Sequence, residues 1–169
     1  MAGLPETTTE TLIADPEPHL IPTLTLTGAP VANHPNALIT SFGYLHGPAP
    51  DAEITIDVRT HLRDPHSDPR VRELTGHDPA VWTQVLATPG ALGLIEGVTT
   101  ATQALLQGAT ATGCPLVRVA LGCAGGRHRS VVLAEAITER LVLAGWDATA
   151  LHLDIHQALV TRRPPTPED

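Results

Sequence analysis

Short runs of β-branched and aliphatic residues alternate along this chain with longer stretches whose apolar positions recur every three or four residues. Ala37 to Phe42 and Glu53 to Val58 are bounded by Gly, Pro or Asp and read as strands. Leu116 to Leu121 reads as a third strand and Thr149 to Leu153 as a fourth. Ala80 to Ala87 reads as a helix, with Asp78 as N-cap and Pro79 at the first position. From Ala91 onward Leu94, Ile95, Val98, Thr102, Leu105 and Leu106 fall at helical spacing. Ser130 to Ala144 makes another long helix, with Leu133, Ile137, Leu141 and Ala144 on one side. Strands that alternate with helices, without tight hairpin signals, pair in parallel through crossovers. The expected fold class is therefore α/β, a small and mostly parallel sheet of about four strands with crossover helices.

The flanks break this pattern. Residues 1–35 are rich in Thr and Pro and show no sustained period, so an extended or disordered arm is expected there. Leu20 to Leu26 alternates weakly, and Pro22 limits it to an edge strand. Residues 36–156 hold the folded unit, and 157–169, with Pro164, Pro165 and Pro167, read as a flexible tail. Between the second strand and the first helix lies a loop of about twenty residues, long enough to be functional or disordered.

Charge narrows the partners. The chain has 169 residues with 10 basic and 18 acidic, a formal charge of -8, and every basic residue is Arg. Four of the acidic residues and none of the basic ones lie in residues 1–35, so the remainder carries -4. General attraction to nucleic acid or to an anionic membrane is disfavoured. Aromatics are 2% of the chain, too few for base stacking on exposed rings. With neither a basic start nor a long apolar run, a cytoplasmic protein is expected. Cys114 and Cys123 flank a predicted strand that holds them too far apart for a disulfide.

The segment Gly122-Cys123-Ala124-Gly125-Gly126-Arg127-His128-Arg129-Ser130 joins a predicted buried strand to a predicted helix. Its glycines let successive backbone N–H groups turn inward, and the helix start adds unpaired N–H groups and positive dipole, together a nest for an anion. Arg127, His128 and Arg129 add planar donors and charge suited to phosphate oxygens. Asp57 and Arg59 close the second strand and His46 follows the first, so these residues can share one crevice beyond the carboxyl ends of the strands. The loop lacks the Gly-Lys-Ser/Thr ending of a Walker A motif, so hydrolysis of a nucleoside triphosphate is not expected. Cys123 and Arg129 do have the Cys-x5-Arg spacing of cysteine-dependent phosphatases, although Gly122 replaces the His that usually precedes the cysteine. His61, His66 and His77 match no common zinc spacing and have no Cys nearby, so no metal site and no cofactor are assigned.

Four blocks then occur in a fixed order: Ser41 to Gly47, Asp57-Val58-Arg59, Arg72 to Asp78, and Gly122 to Val132. Together they resemble the C-terminal domain of the RNase adapter protein RapZ, from about Ala37 to His152. The resemblance implies an α/β domain likened to part of phosphofructokinase, binding a phosphorylated amino sugar and, in some members, a small RNA and a ribonuclease. By position it implies an anion loop of Cys123, Ala124, Gly125, Gly126, His128 and Arg129, with Asp57, Arg59 and His66 facing the ligand and Ser41 and His46 in the first block. Ala124 stands where that family often has Thr. The nucleotide-binding domain of the family has no counterpart in these residues, so nucleotide binding is not carried over.

The expected function is a regulatory module that binds a phosphate-bearing metabolite, such as a phosphosugar, and signals to a protein partner. The alternatives are a Cys-x5-Arg phosphatase, an RNA-binding adapter, and an interaction module whose loop is vestigial. Oligomeric state is not legible.

Overall fold

The structure, a computed structural model, describes residues 36–62, 70–114 and 116–158. The expected arm, the weak edge strand over 20–26, His66, and the tail beyond residue 158 lie outside the described residues.

The chain runs β1 (Asn36–Gly43), β2 (Ile54–Asp57), α1 (Pro79–Leu86), α2 (Ala91–Thr112), β3 (Leu116–Cys123), α3 (Arg129–Leu143) and β4 (Ala148–His152). The four strands form one sheet in the order β2-β3-β1-β4, and every pairing is parallel. The expected α/β class and strand number hold. One connection differs from the expected crossover helices: β1 reaches β2 through residues 44–53, which contain no helix. That stretch carries Gly47, Pro48 and Pro50, which cannot sustain one.

Position in the sheet explains the patterns in the sequence. Central strands β1 and β3 are buried along nearly their whole length, whereas edge strands β2 and β4 alternate between half-buried and exposed positions. Central parallel strands are covered on both faces and read as continuous apolar runs, while an edge strand keeps a period of two. On one face Ala37, Ile39, Val117, Val119 and Leu121 pack with Ile95, Val98 and Leu106 of α2 and with Leu133, Ile137 and Leu141 of α3. Each fully buried aliphatic side chain of this kind contributes about 1.5–3 kcal/mol. Within α2, the buried hydroxyls of Thr99 and Thr102 bond back to the carbonyls of Ile95 and Val98 at 2.7 and 2.8 Å, so both are satisfied inside the apolar layer.

Asp78 is the N-cap residue of α1, but its carboxylate turns away from the helix. It accepts instead from the Thr75 amide and hydroxyl at 2.7 and 3.0 Å, fixing the turn that precedes the helix. This turn also carries Gly76 and His77 against the start of α3, because the Gly76 amide donates to the Arg127 carbonyl at 2.8 Å.

Candidate functional site

The strand register brings the carboxyl ends of three strands together. Gly43 at the end of β1 pairs with Cys123 at the end of β3, and Asp57 at the end of β2 pairs with Gly122. Residues 123–128 leave β3 here and lead directly into α3. The first-turn N–H groups of such a helix have no intrahelical acceptor and carry the positive end of its dipole.

The loop is folded tightly against the end of β1. Gly126 has φ 67°, a left-handed backbone conformation, and a Cβ there would lie 2.7 Å from the Gly43 amide nitrogen and 2.7 Å from the Asp154 Cβ. A Cβ on Gly43 would meet the Gly125 carbonyl carbon at 2.5 Å. Only glycine permits both close approaches. Asp154, just beyond β4, accepts from the Gly43 amide at 2.8 Å and so ties the fourth strand end to the same place. Asp154 was not apparent from the sequence, since a lone Asp after a short strand carries no motif.

Cys123 is buried at the centre of this turn. Its Sγ lies 3.2 Å from the Gly126 amide, which donates to it, and 3.2 Å from the Ser130 Oγ. Immediately before it, Gly122 leaves room for two rings: a Cβ there would fall 2.4 Å from Tyr44 and 2.5 Å from Phe42. Phe42 and Tyr44 stack edge to face at 4.7 Å, and the Arg59 guanidinium lies 3.8 Å above the Tyr44 ring. Arg59 also grips Asp57, with Nε at 3.0 Å from both carboxylate oxygens and Nη2 at 2.6 Å from Oδ2. The Arg59 hydrogen bond holds the Asp57 carboxyl below its ordinary range, and Asp57 in turn raises Arg59. Both side chains remain exposed, by 39% for Asp57 and 46% for Arg59, so this pair is open to solvent at the mouth of the crevice.

The three cationic residues of the loop have other geometry. Arg127 donates through Nε to the Leu74 carbonyl at 3.0 Å and through Nη2 to the Glu73 carbonyl at 2.6 Å. His128 Nε2 lies 2.8 Å from the same Leu74 carbonyl. Arg129 is 2% exposed, and its Nη1 donates to the carbonyls of Val58, Arg59 and Leu62 at 3.3, 3.2 and 2.7 Å. These side chains therefore sew the segments after β2 and before α1 onto the start of α3. Ala124 and Gly125 are half-buried at the apex of the turn, and Ser130 is fully buried behind it. His46 is half-buried in the turn after β1, where its amide donates to the Gly43 carbonyl. Ser41 is fully buried on β1, with Oγ 2.7 Å from His152 Nδ1, and so stands behind the crevice.

Open clefts among the described residues lie elsewhere. One of ≈ 500 Å³ is lined by Val71, Thr83 and Gln84, and one of ≈ 540 Å³ by Gln107, Thr110 and Trp146. Neither includes a residue of the glycine loop.

The family model of the RapZ C-terminal domain matches residues 36–156. The chain belongs to that family. As a RapZ C-terminal domain it resembles nucleotide-binding proteins of Frankia alni (38% identical over 128 residues, 76% of this chain and 44% of the relative) and Thermobifida fusca (38% over 119 residues, 70% and 40%). It is 45% identical to a nucleotide-binding protein of Rubrobacter xylanophilus over 103 residues, 61% of this chain and 33% of that protein. The chain thus spans less than half the length of these curated relatives. Among the described residues, no helix of this RapZ C-terminal domain is long and apolar enough to cross a membrane.

Proposed function

We propose that this RapZ C-terminal domain is a regulatory module that binds a phosphorylated small metabolite, a phosphosugar such as an amino-sugar phosphate, beyond the ends of β1, β2 and β3. The observation that carries the reading is the backbone packing of Gly43 against Gly125 and Gly126, which holds the turn at the positive end of α3. The phosphate is met by the backbone amides of Ala124 and Gly125 and the first turn of α3, with Arg59 as a solvent-open guanidinium, while the Gly126 amide stays on Cys123 Sγ. Arg127, His128 and Arg129 act on the ligand mainly by charge and by fixing the loop, since the donors described above already serve carbonyls. Asp57, held ionised by Arg59, suits the hydroxyls or ammonium group of an amino sugar. The names of the relatives, nucleotide-binding proteins, are compatible with a phosphate-bearing ligand.

A ligand that binds only the folded state stabilises it by about 2.7 kcal/mol at a hundredfold excess over Kd. A thermal-shift panel of amino-sugar phosphates, plain sugar phosphates, nucleotides and inorganic phosphate tests this. A rise in Tm with a sugar phosphate but not with its unphosphorylated sugar supports the reading; no rise across the panel rejects it.

The phosphatase reading has one observation in its favour, the Gly126 amide and Ser130 Oγ each 3.2 Å from Cys123 Sγ. Against it stand the burial of Cys123 and the commitment of Arg129 Nη1 to three carbonyls. A His before the cysteine would also collide with Phe42 and Tyr44. Turnover of an aryl phosphate that is abolished by Cys123→Ser would favour the enzyme.

A further inference from the structure

At the β4 edge of the sheet, opposite the β2 edge that carries Asp57, three side chains from distant parts of the chain meet. His77 precedes α1, Glu135 lies in the second turn of α3, and His152 ends β4. One ligand atom from each falls within 4.8 Å of the others. Glu135 Oε1 is 2.8 Å from His152 Nε2 and 3.5 Å from His77 Nε2, and the two imidazoles are 5.1 Å apart centre to centre.

We infer that His77, Glu135 and His152 form a binding site for a divalent transition cation of the zinc class. Two imidazoles and one carboxylate are a recognised donor set for such ions, with bonds of about 2.0–2.2 Å. Ligand atoms around a tetrahedral ion of that size lie roughly 3.3 Å from one another, and the separations of 2.8 and 3.5 Å bracket that value. The surrounding bonds aim the donors. Ser41 Oγ lies 2.7 Å from His152 Nδ1 and so fixes the ring with Nε2 turned toward Glu135, 2.8 Å away. His77 is set by the Asp78–Thr75 turn, through its own amide on Thr75 Oγ1 at 3.3 Å.

Access grades across the cluster, from 11% exposure for the His152 side chain to 35% for Glu135 and 54% for His77. A bound ion would therefore keep a coordination position on the solvent side, open to water or to an anionic group. Spacing arguments miss this site because its members come from a loop, a helix and a strand. Only the parallel register, which sets His152 beside Ser41, and the Gly76 anchor on Arg127 bring them together.

Titration of the tag-free protein with Co²⁺, followed by displacement with Zn²⁺, tests the assignment. The intense visible bands of four-coordinate cobalt are expected at one equivalent. His77→Ala and Glu135→Gln should each weaken the cation by tenfold or more, and Ser41→Ala by about tenfold through the lost partner of His152. His61→Ala and His156→Ala, at exposed histidines outside the cluster, should leave the titration unchanged. An unaltered Co²⁺ isotherm in His77→Ala, or only the weak bands of hydrated six-coordinate cobalt in the wild type, would overturn the site. Since His77 is exposed, His77→Ala keeps the fold and decides the matter even if Glu135→Gln does not fold.

Discussion

The backbones of Gly43 and Gly126 touch: a methyl group on Gly126 would sit 2.7 Å from the Gly43 nitrogen, which itself donates to Asp154. This contact joins the end of β1 to the start of α3 and holds the turn at the ends of the strands. Gly126→Ala should lower stability by about 1–3 kcal/mol from the φ of 67° alone, with the clash adding to it. Gly125→Ala is the informative control, since a Cβ there meets nothing within 4 Å. Chemical denaturation should show Gly125→Ala close to wild type and Gly126→Ala clearly weaker.

Arg129 is buried, and its guanidinium serves three backbone carbonyls on the segment after β2. Removing it leaves buried acceptors without a donor, at about 1–3 kcal/mol for each group left unsatisfied. Arg129→Ala is thus expected to lose several degrees or more of Tm before any ligand is added. A melting curve superposable on wild type would contradict this role.

The Arg59 hydrogen bond lowers the Asp57 carboxyl from its ordinary value of 3.8. A depressed carboxyl contributes stability that is complete above its unfolded value and is lost as pH falls through the folded one. Because the pair is exposed, that contribution is small, and Asp57→Asn should barely change stability at neutral pH. Asp57 stays ionised throughout pH 5–8. Affinity for a phosphomonoester should therefore fall in this range as the ligand's dianion takes up a proton, near pH 6, with no contribution from Asp57. Calorimetry at several pH values checks this, and a second transition that vanishes in Asp57→Asn would refute it.

The two thiols differ in access: Cys114 is exposed and Cys123 buried. A thiol reagent should modify Cys114 rapidly in the native protein and Cys123 only slowly, while both react at once in denaturant. Rapid native modification of Cys123, measured in Cys114→Ser, would revive the nucleophile reading.

Much of the fold was legible because each class of strand writes its own pattern. The central β1 and β3 appear as mainly apolar runs, interrupted by Thr40, Ser41 and Arg118 and ending at Gly43 and Cys123, and β2 and β4 as short alternations. The glycine loop was visible as well, because a turn this close to a neighbouring backbone excludes side chains. What the sequence could not reveal was the direction of the long polar ones. Arg127 and Arg129 have the composition of phosphate ligands, yet the carbonyls of Glu73, Leu74 and Leu62, which come near only in the folded chain, take their donors. Asp154, Glu135 and His152 were silent for the same reason, as their partners lie 17 to 111 positions away.

The central claim is that a phosphoryl group sits on the amides at the Ala124–Gly125 apex of the turn. Isothermal titration of an amino-sugar phosphate into wild type and Gly125→Ala tests it most directly, because this substitution adds a methyl group at the turn without disturbing its packing. Saturable binding in the wild type, weakened tenfold or more in Gly125→Ala at unchanged Tm, is the predicted result. Equal affinity in the two proteins would contradict it.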